Sequence, residues 1–152
     1  SLAAAKYGVG LAIFAYGSTD SVISLSNLVS NSGVIASDVT GVGTARSALA
    51  ATGYGEDKAI FAYGTTGSNV SLSNLVNNSG VVASDVTGVG TARHGVGGAG
   101  YGGDKAIFGF GSTGSVTGVT NLVSNSGVVA SDVSAVGTAR RHIAAAGYSL
   151  SA

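Results

Sequence analysis

The hexapeptide GVGTAR, residues 41–46, combines glycines with an arginine, the residue types of a loop that wraps a phosphate and neutralises its charge. It returns at 88–93 and, as AVGTAR, at 135–140. A phosphate loop follows a strand and opens a helix, whose N-terminus helps hold the anion. Here the residues after the arginine, SALAATGY at 47–54, read as another strand, and a nucleotide site needs one such loop rather than three. The motif is therefore expected to turn the chain from one unit into the next, with Arg46, Arg93 and Arg140 pinning the crossing.

Other chemically capable residues divide into those that repeat and those that do not. Asp38, Asp85 and Asp132 recur once per unit, as GVIASD, GVVASD and GVVASD. Acid–base catalysis needs two carboxyl groups in different environments, whereas repetition supplies the same environment each time. These aspartates are expected to accept hydrogen bonds from backbone N–H groups or from the arginines and to hold units in register. Asp57-Lys58 and Asp104-Lys105 are expected to solubilise exposed hairpins and pair across them, and the first unit has Gly10-Leu11 there instead.

Departures from the repeat are the better binding candidates. They are Asp20, where the other units have Gly67 and Gly114, and His94, Arg141 and His142 after the TAR strings. Two histidines and an aspartate are metal-ligand types, but His94 and His142 belong to different units and are expected to stand apart, so no metal site is expected. A ring of His and Arg on one face would suit a glycan or a protein partner. Tyr16 and Tyr63, beside the hydroxyl-rich loops GSTDS (17–21) and GTTGSN (64–69), would suit sugar stacking.

Seven basic and seven acidic residues leave no net charge, and only 9% of the residues are charged. That balance gives no footprint for nucleic acid or an anionic membrane, and a weakly charged surface tends to associate. Cysteine is absent, which excludes disulfides and thiolate metal sites. The uncharged stretch between Lys58 and Asp85 is interrupted throughout by Gly, Ser, Thr and Asn, so no membrane insertion is expected. Without an initiating Met, the chain reads as a processed product or a fragment.

What must position these residues is a repeat. AIFAYG begins at Ala12 and Ala59 and AIFGFG at Ala106, each 47 residues after the last. The units are 1–47, 48–94 and 95–141, and RHIAAAGY at 141–148 copies the opening SLAAAKY, so 142–152 supplies an extra first strand. Within a unit four strands are expected: 48–54; 59–64, apolar on both faces; 70–76, with Val70 and Leu72 alternating with serines; and 81–86 after the NNSG turn. No apolar stripe of helical period is sustained. The expected fold is all-β, a β-propeller of four-stranded antiparallel blades with three blades in the chain.

The unit R-x-x-x-A-A-x-G-Y-G-x-D-K-A-I-F-x-Y-G … N-L-V … V-G-T-A-R resembles a Kelch-type blade across nearly the whole chain, although the double glycine, the outer-strand Trp and the Pro before the arginine are missing. The repeats are also similar to those of bacteriophage tail and fibre proteins. The resemblance implies a structural or receptor-binding role in a virion or extracellular setting, with glycans or other virion proteins as partners, no cofactor, and the three arginines at blade crossings. Galactose oxidase also uses Kelch-type blades, but its copper site needs a cysteine-linked tyrosine, which this chain cannot form. Three blades cannot close a ring that takes four to eight. Homo-oligomerisation is expected, most simply a dimer of six blades, with blade 1 completed by its own first strand or by the neighbour's C-terminal copy of it.

Overall fold

The computed structural model describes residues 1–147; the rest of the 142–152 element lies outside the described residues. The protein is all-β, with no helix among the described residues. Three antiparallel sheets follow one another along the chain: β1 (Ala3–Tyr7), β2 (Leu11–Ala15) and β3 (Ser26–Val29); β4 (Ala50–Tyr54), β5 (Lys58–Ala62) and β6 (Ser73–Val76); β7 (Gly97–Tyr101), β8 (Lys105–Gly109) and β9 (Thr120–Val123). Each sheet runs in simple meander order, and each first hairpin has the same register, as in Ala50↔Ala62 through Tyr54↔Lys58. The first hairpin closes tightly because its turn tolerates positive φ, at Gly55 (55°) and Glu56 (69°) in the second unit.

The sheets pack side by side and do not close on themselves, with β4 lying between β1 and β7. Two apolar cores fill the spaces between neighbouring sheets. The first gathers Tyr7, Ile13, Tyr16, Leu49, Phe61 and Val76. The second gathers Tyr54, Ile60, Tyr63, Val96, Phe108 and Val123, the same positions moved on by one sheet. A sheet that is apolar on both faces must be covered on both, and only the middle sheet has two neighbours.

The expected second strand runs to residue 64, but β5 stops at Ala62, because Tyr63 takes φ 64° and Gly64 φ 107°. Tyr16 (61°) and Phe110 (63°) do the same. Bulky residues rarely adopt this left-handed conformation, and here it swings each ring beneath the arginine of its own unit.

The expected four-stranded unit is instead a three-stranded sheet with a fourth segment joined by single bridges. In the second unit these are Val76↔Val82 and Ser73↔Val86, so three steps along β6 face four along its partner. That extra residue is a bulge that interrupts the ladder. The Asn74 side chain fills the gap, donating to the Ala83 carbonyl (3.0 Å) and to Asp85 (2.9 Å). Asn27 and Asn121 repeat the arrangement.

Candidate functional site: the joints between units

The chain crosses from one unit to the next between Arg46 and Ser47. The Arg46 carbonyl accepts from Gly17 of its own unit (2.9 Å), whereas Ser47 exchanges backbone hydrogen bonds with Thr65 of the next (2.9 and 3.0 Å). Arg46 is fully buried, and its Nε donates to the Tyr63 carbonyl across the joint (2.9 Å). Its guanidinium stacks 4.3 Å from the centre of the Tyr16 ring. Burial lowers the Arg46 pKa, and the nearby Tyr16 and Asp85 act in the opposite direction. Burial also raises the Tyr16 hydroxyl, against the opposing charge of Arg46.

Asp85 reaches back across the same joint. It accepts from the Thr44 N–H (3.1 Å) and hydroxyl (2.6 Å) while holding Asn74 at its other side. Partial desolvation pushes this carboxyl up, but the hydrogen bonds from Thr44 and Asn74 and the charge of Arg46 together bring it below the usual range. The second joint repeats the first: Asp132 accepts from Thr91 (3.1 Å to the N–H), and its pKa is lowered in the same way. Arg93 donates from Nε to the Phe110 carbonyl (2.9 Å), from Nη1 to the Thr91 carbonyl (3.0 Å) and from Nη2 to Asn121 (2.7 Å). The two arginines differ in one bond. Arg46 Nη2 turns to the Phe61 carbonyl (3.5 Å), which leaves the buried Oδ1 of Asn74 without a donor.

The third joint is only half built. Arg140 lies 4.1 Å over Phe110 and donates to the Thr138 carbonyl (3.0 Å), but it is exposed. Asp38, at the opposite end of the chain, holds Asn27 (2.8 Å) and is likewise exposed. The faces around them are bare as well. Tyr101 is 36% exposed where Tyr7 and Tyr54 are 3% and 4%, and Phe14 is half-buried where Phe61 and Phe108 are covered completely.

Tyr16 and Tyr63 cannot serve as sugar platforms, because both are buried with an arginine over one ring face. His94 and His142, although in different units, are neighbours, with ring centres 6.1 Å apart. The chain steps from one unit to the next within a single hairpin-width, so residues 48 apart in sequence meet at the crossing, where the His142 N–H donates to the Gly95 carbonyl (2.8 Å). His94 Nδ1 also pairs with Asn69 (2.8 Å). Among the described residues no group of three or more metal-ligand side chains gathers. Arg141 is exposed beside His142, and Asp20 lies in an exposed loop at the far end of the chain, so these four departures do not form one site.

Asp57 and Asp104 pair with their neighbouring lysines at 3.4 Å. They also accept from Asn78 (3.1 Å) and Asn125 (3.0 Å), and these bonds are the main cause of their lowered pKa values. Their turns bind the preceding unit through the backbone, since Gly8 donates to the Asp57 carbonyl (2.6 Å) and Gly55 to that of Asp104 (2.7 Å). A shallow groove of about 390 Å³ runs across β1, β4 and β7, with Lys6, Thr52, Glu56 and Lys105 on its walls.

Sequence reasoning missed Thr44, Thr91, Asn74 and Asn121. The signal was available, because the threonines sit in the repeated GTAR string and the asparagines in the repeated NLV string. No protein-family model matches the chain, and no curated protein matches it.

Proposed function

We propose that the chain is a non-catalytic structural module whose three units are blades of a propeller-like ring completed by a second copy of the chain. The bulged fourth segment is then the outer edge of each blade. The observation that carries this reading is the pair of open ends: Arg140, Tyr101 and Phe14 are uncovered where their equivalents inside the chain are buried, and Asp38 lacks the threonine of a preceding unit that Asp85 and Asp132 bind. Repeat arrays that stop in solvent end in units with a polar outer face. These ends instead keep the apolar residues that pack between units, including Leu122 and Phe14. Of rings with four to eight blades, only six is a multiple of three, so a ring made of these three-unit chains alone takes two of them. The arginines and aspartates with the strongest chemical potential are engaged in holding units together, which supports a structural rather than a catalytic role.

Solution mass tests the proposal. A dimer has a mass of about 29 kDa, twice the 14.5 kDa of the chain. A chain that stays monomeric in sedimentation up to high micromolar concentration refutes it.

A further inference from the structure

Both ends of the chain carry one half of the same joint. Gly80 and Gly127 are pressed by the preceding unit: a Cβ on Gly80 would lie 2.8 Å from Leu28 Cδ2 and from the Tyr7 hydroxyl, and one on Gly127 would lie 2.9 Å from Leu75 and Tyr54. The equivalent Gly33 of the first unit has nothing within 4 Å. The residues that would press on it, Tyr101 and Leu122, are 36% and 40% exposed at the other end of the chain. The mirror-image gap lies at Gly137. A Cβ on Gly43 would collide with Asn74 and Asp85 and one on Gly90 with Asn121 and Asp132, whereas Gly137 has open space. Its missing neighbours are matched by Asn27 and Asp38, which have no preceding unit in the chain.

We infer that two chains join head to tail through a third copy of the internal joint, and that residues 142–147 must leave their present position for this to happen. This inference rests on the self-association proposed above and assigns its interface. The Thr138 N–H and hydroxyl donate to Asp38 of the next copy, as those of Thr44 and Thr91 do to Asp85 and Asp132. Arg140 Nε donates to the Tyr16 carbonyl of the next copy, as Arg46 and Arg93 donate to Tyr63 and Phe110. Tyr101 and Leu122 close over its Gly33. Such a contact is heterologous, joining two different faces, and two of them related by a two-fold axis close a ring.

One element stands in the way. Residues 142–147 copy the start of a unit and lie on β7: a Cβ on Gly97 would fall 2.7 Å from Ile143, and one on Gly147 2.7 Å from the Gly100 carbonyl. That is the place the incoming β1 must take. The incoming β1 is bound to β2 by a five-pair register and packed on β4. Residues 142–147 are mostly exposed and, among the described residues, have no second strand beside them. The C-terminal segment therefore yields and β1 stays, which makes 142–147 a displaceable cap on the growing face.

Two exposed substitutions test the interface without disturbing the monomer core. Asp38→Arg spoils only the tail face and Leu122→Arg only the head face. Each variant alone is expected to sediment as a monomer where the unaltered chain associates, and a 1:1 mixture is expected to form a two-chain species through the one remaining intact pair of faces. If the unaltered chain associates and both variants associate equally well, the interface is overturned while self-association stands. Single variants that are monomeric and do not pair when mixed also overturn it, because an intact head then meets an intact tail without binding; a contact between like faces would instead leave one single variant self-associating. A monomeric unaltered chain refutes the self-association itself. Hydrogen exchange on the associated chain checks the cap: the His142 amide, which donates to the Gly95 carbonyl in the present position, loses protection and the amides of Ala3–Tyr7 keep theirs, and the opposite pattern, marking strand exchange, overturns the cap.

Discussion

Replacing Arg93 with alanine and replacing Arg140 with alanine change the same repeat position and should have very different consequences. Arg93 is fully buried and donates to three acceptors, the carbonyls of Phe110 and Thr91 and Oδ1 of Asn121, while stacking 4.1 Å from the Tyr63 ring centre. Its removal orphans these acceptors. A buried polar group left without its partner costs about 1–3 kcal/mol, and the joint also loses a large packed side chain. Water reaching the Thr91 carbonyl, on an exposed residue, offsets part of that. The net expectation for Arg93→Ala is a loss of about 3–5 kcal/mol. Arg140 has one hydrogen bond and one ring contact, both at an exposed site, so Arg140→Ala should cost about 1 kcal/mol or less. Urea unfolding of both variants at a dilution where the unaltered chain is monomeric measures the difference. At concentrations where chains associate, Arg140→Ala should also weaken association. Equal losses for the two variants in the monomer would refute the claim that the buried fork, rather than the arginine's charge, secures the joint.

Three further outcomes can be checked on the same protein. Asp85 and Asp132 have lowered pKa values in the folded chain, so their contribution to stability is complete above the unfolded aspartate value of about 3.9 and fades as pH falls through the lower folded value. Stability by denaturant titration should therefore hold steady from pH 7 to about 5 and fall below about 4, with Asp85→Asn costing most at neutral pH and least in acid. Gly80→Ala should cost about 2–4 kcal/mol, combining positive φ (81°) with contact against Leu28 and Tyr7, whereas Gly33→Ala (φ 78°) should cost the monomer only the backbone strain of about 1–2 kcal/mol. Asn74→Ala should cost about 2 kcal/mol by unpairing the Ala83 carbonyl and one side of Asp85, visible as faster amide exchange across the fourth segment.

Much of the fold was legible because the sequence repeats almost verbatim and strand signals sit at fixed places in each unit. AIFAYG could be read as a buried strand, and NNSG as a turn, from residue type alone. The end of that strand was not legible. Nothing in the composition of Ala62-Tyr63-Gly64 says that the tyrosine takes positive φ, since that conformation exists to place the ring under an arginine 30 residues later, Arg46 for Tyr16 and Arg93 for Tyr63. The bulge was hidden for a similar reason. VVASDV alternates as a strand should, and only the side chain of Asn74, 11 positions from Asp85, converts the ladder into two bridges.

The joint was half legible. Repetition identified GVGTAR as architecture, but its partner could not be found by pattern, because Thr44 binds Asp85 across 41 residues and three strands. The spacing that matters is less than one repeat. An interface made from the end of one unit and the outer segment of the next always draws on residues slightly closer than the 47-residue period. A chain of three such units therefore builds two joints and carries the halves of a third at its ends. The near-identity of the units means that those halves are made of the same residue types as the internal joints. Thr138 therefore has the same donors to offer Asp38 of another copy as Thr91 offers Asp132, and only geometry distinguishes the two encounters: the internal partner is tethered, and the external one must first displace the cap at 142–147.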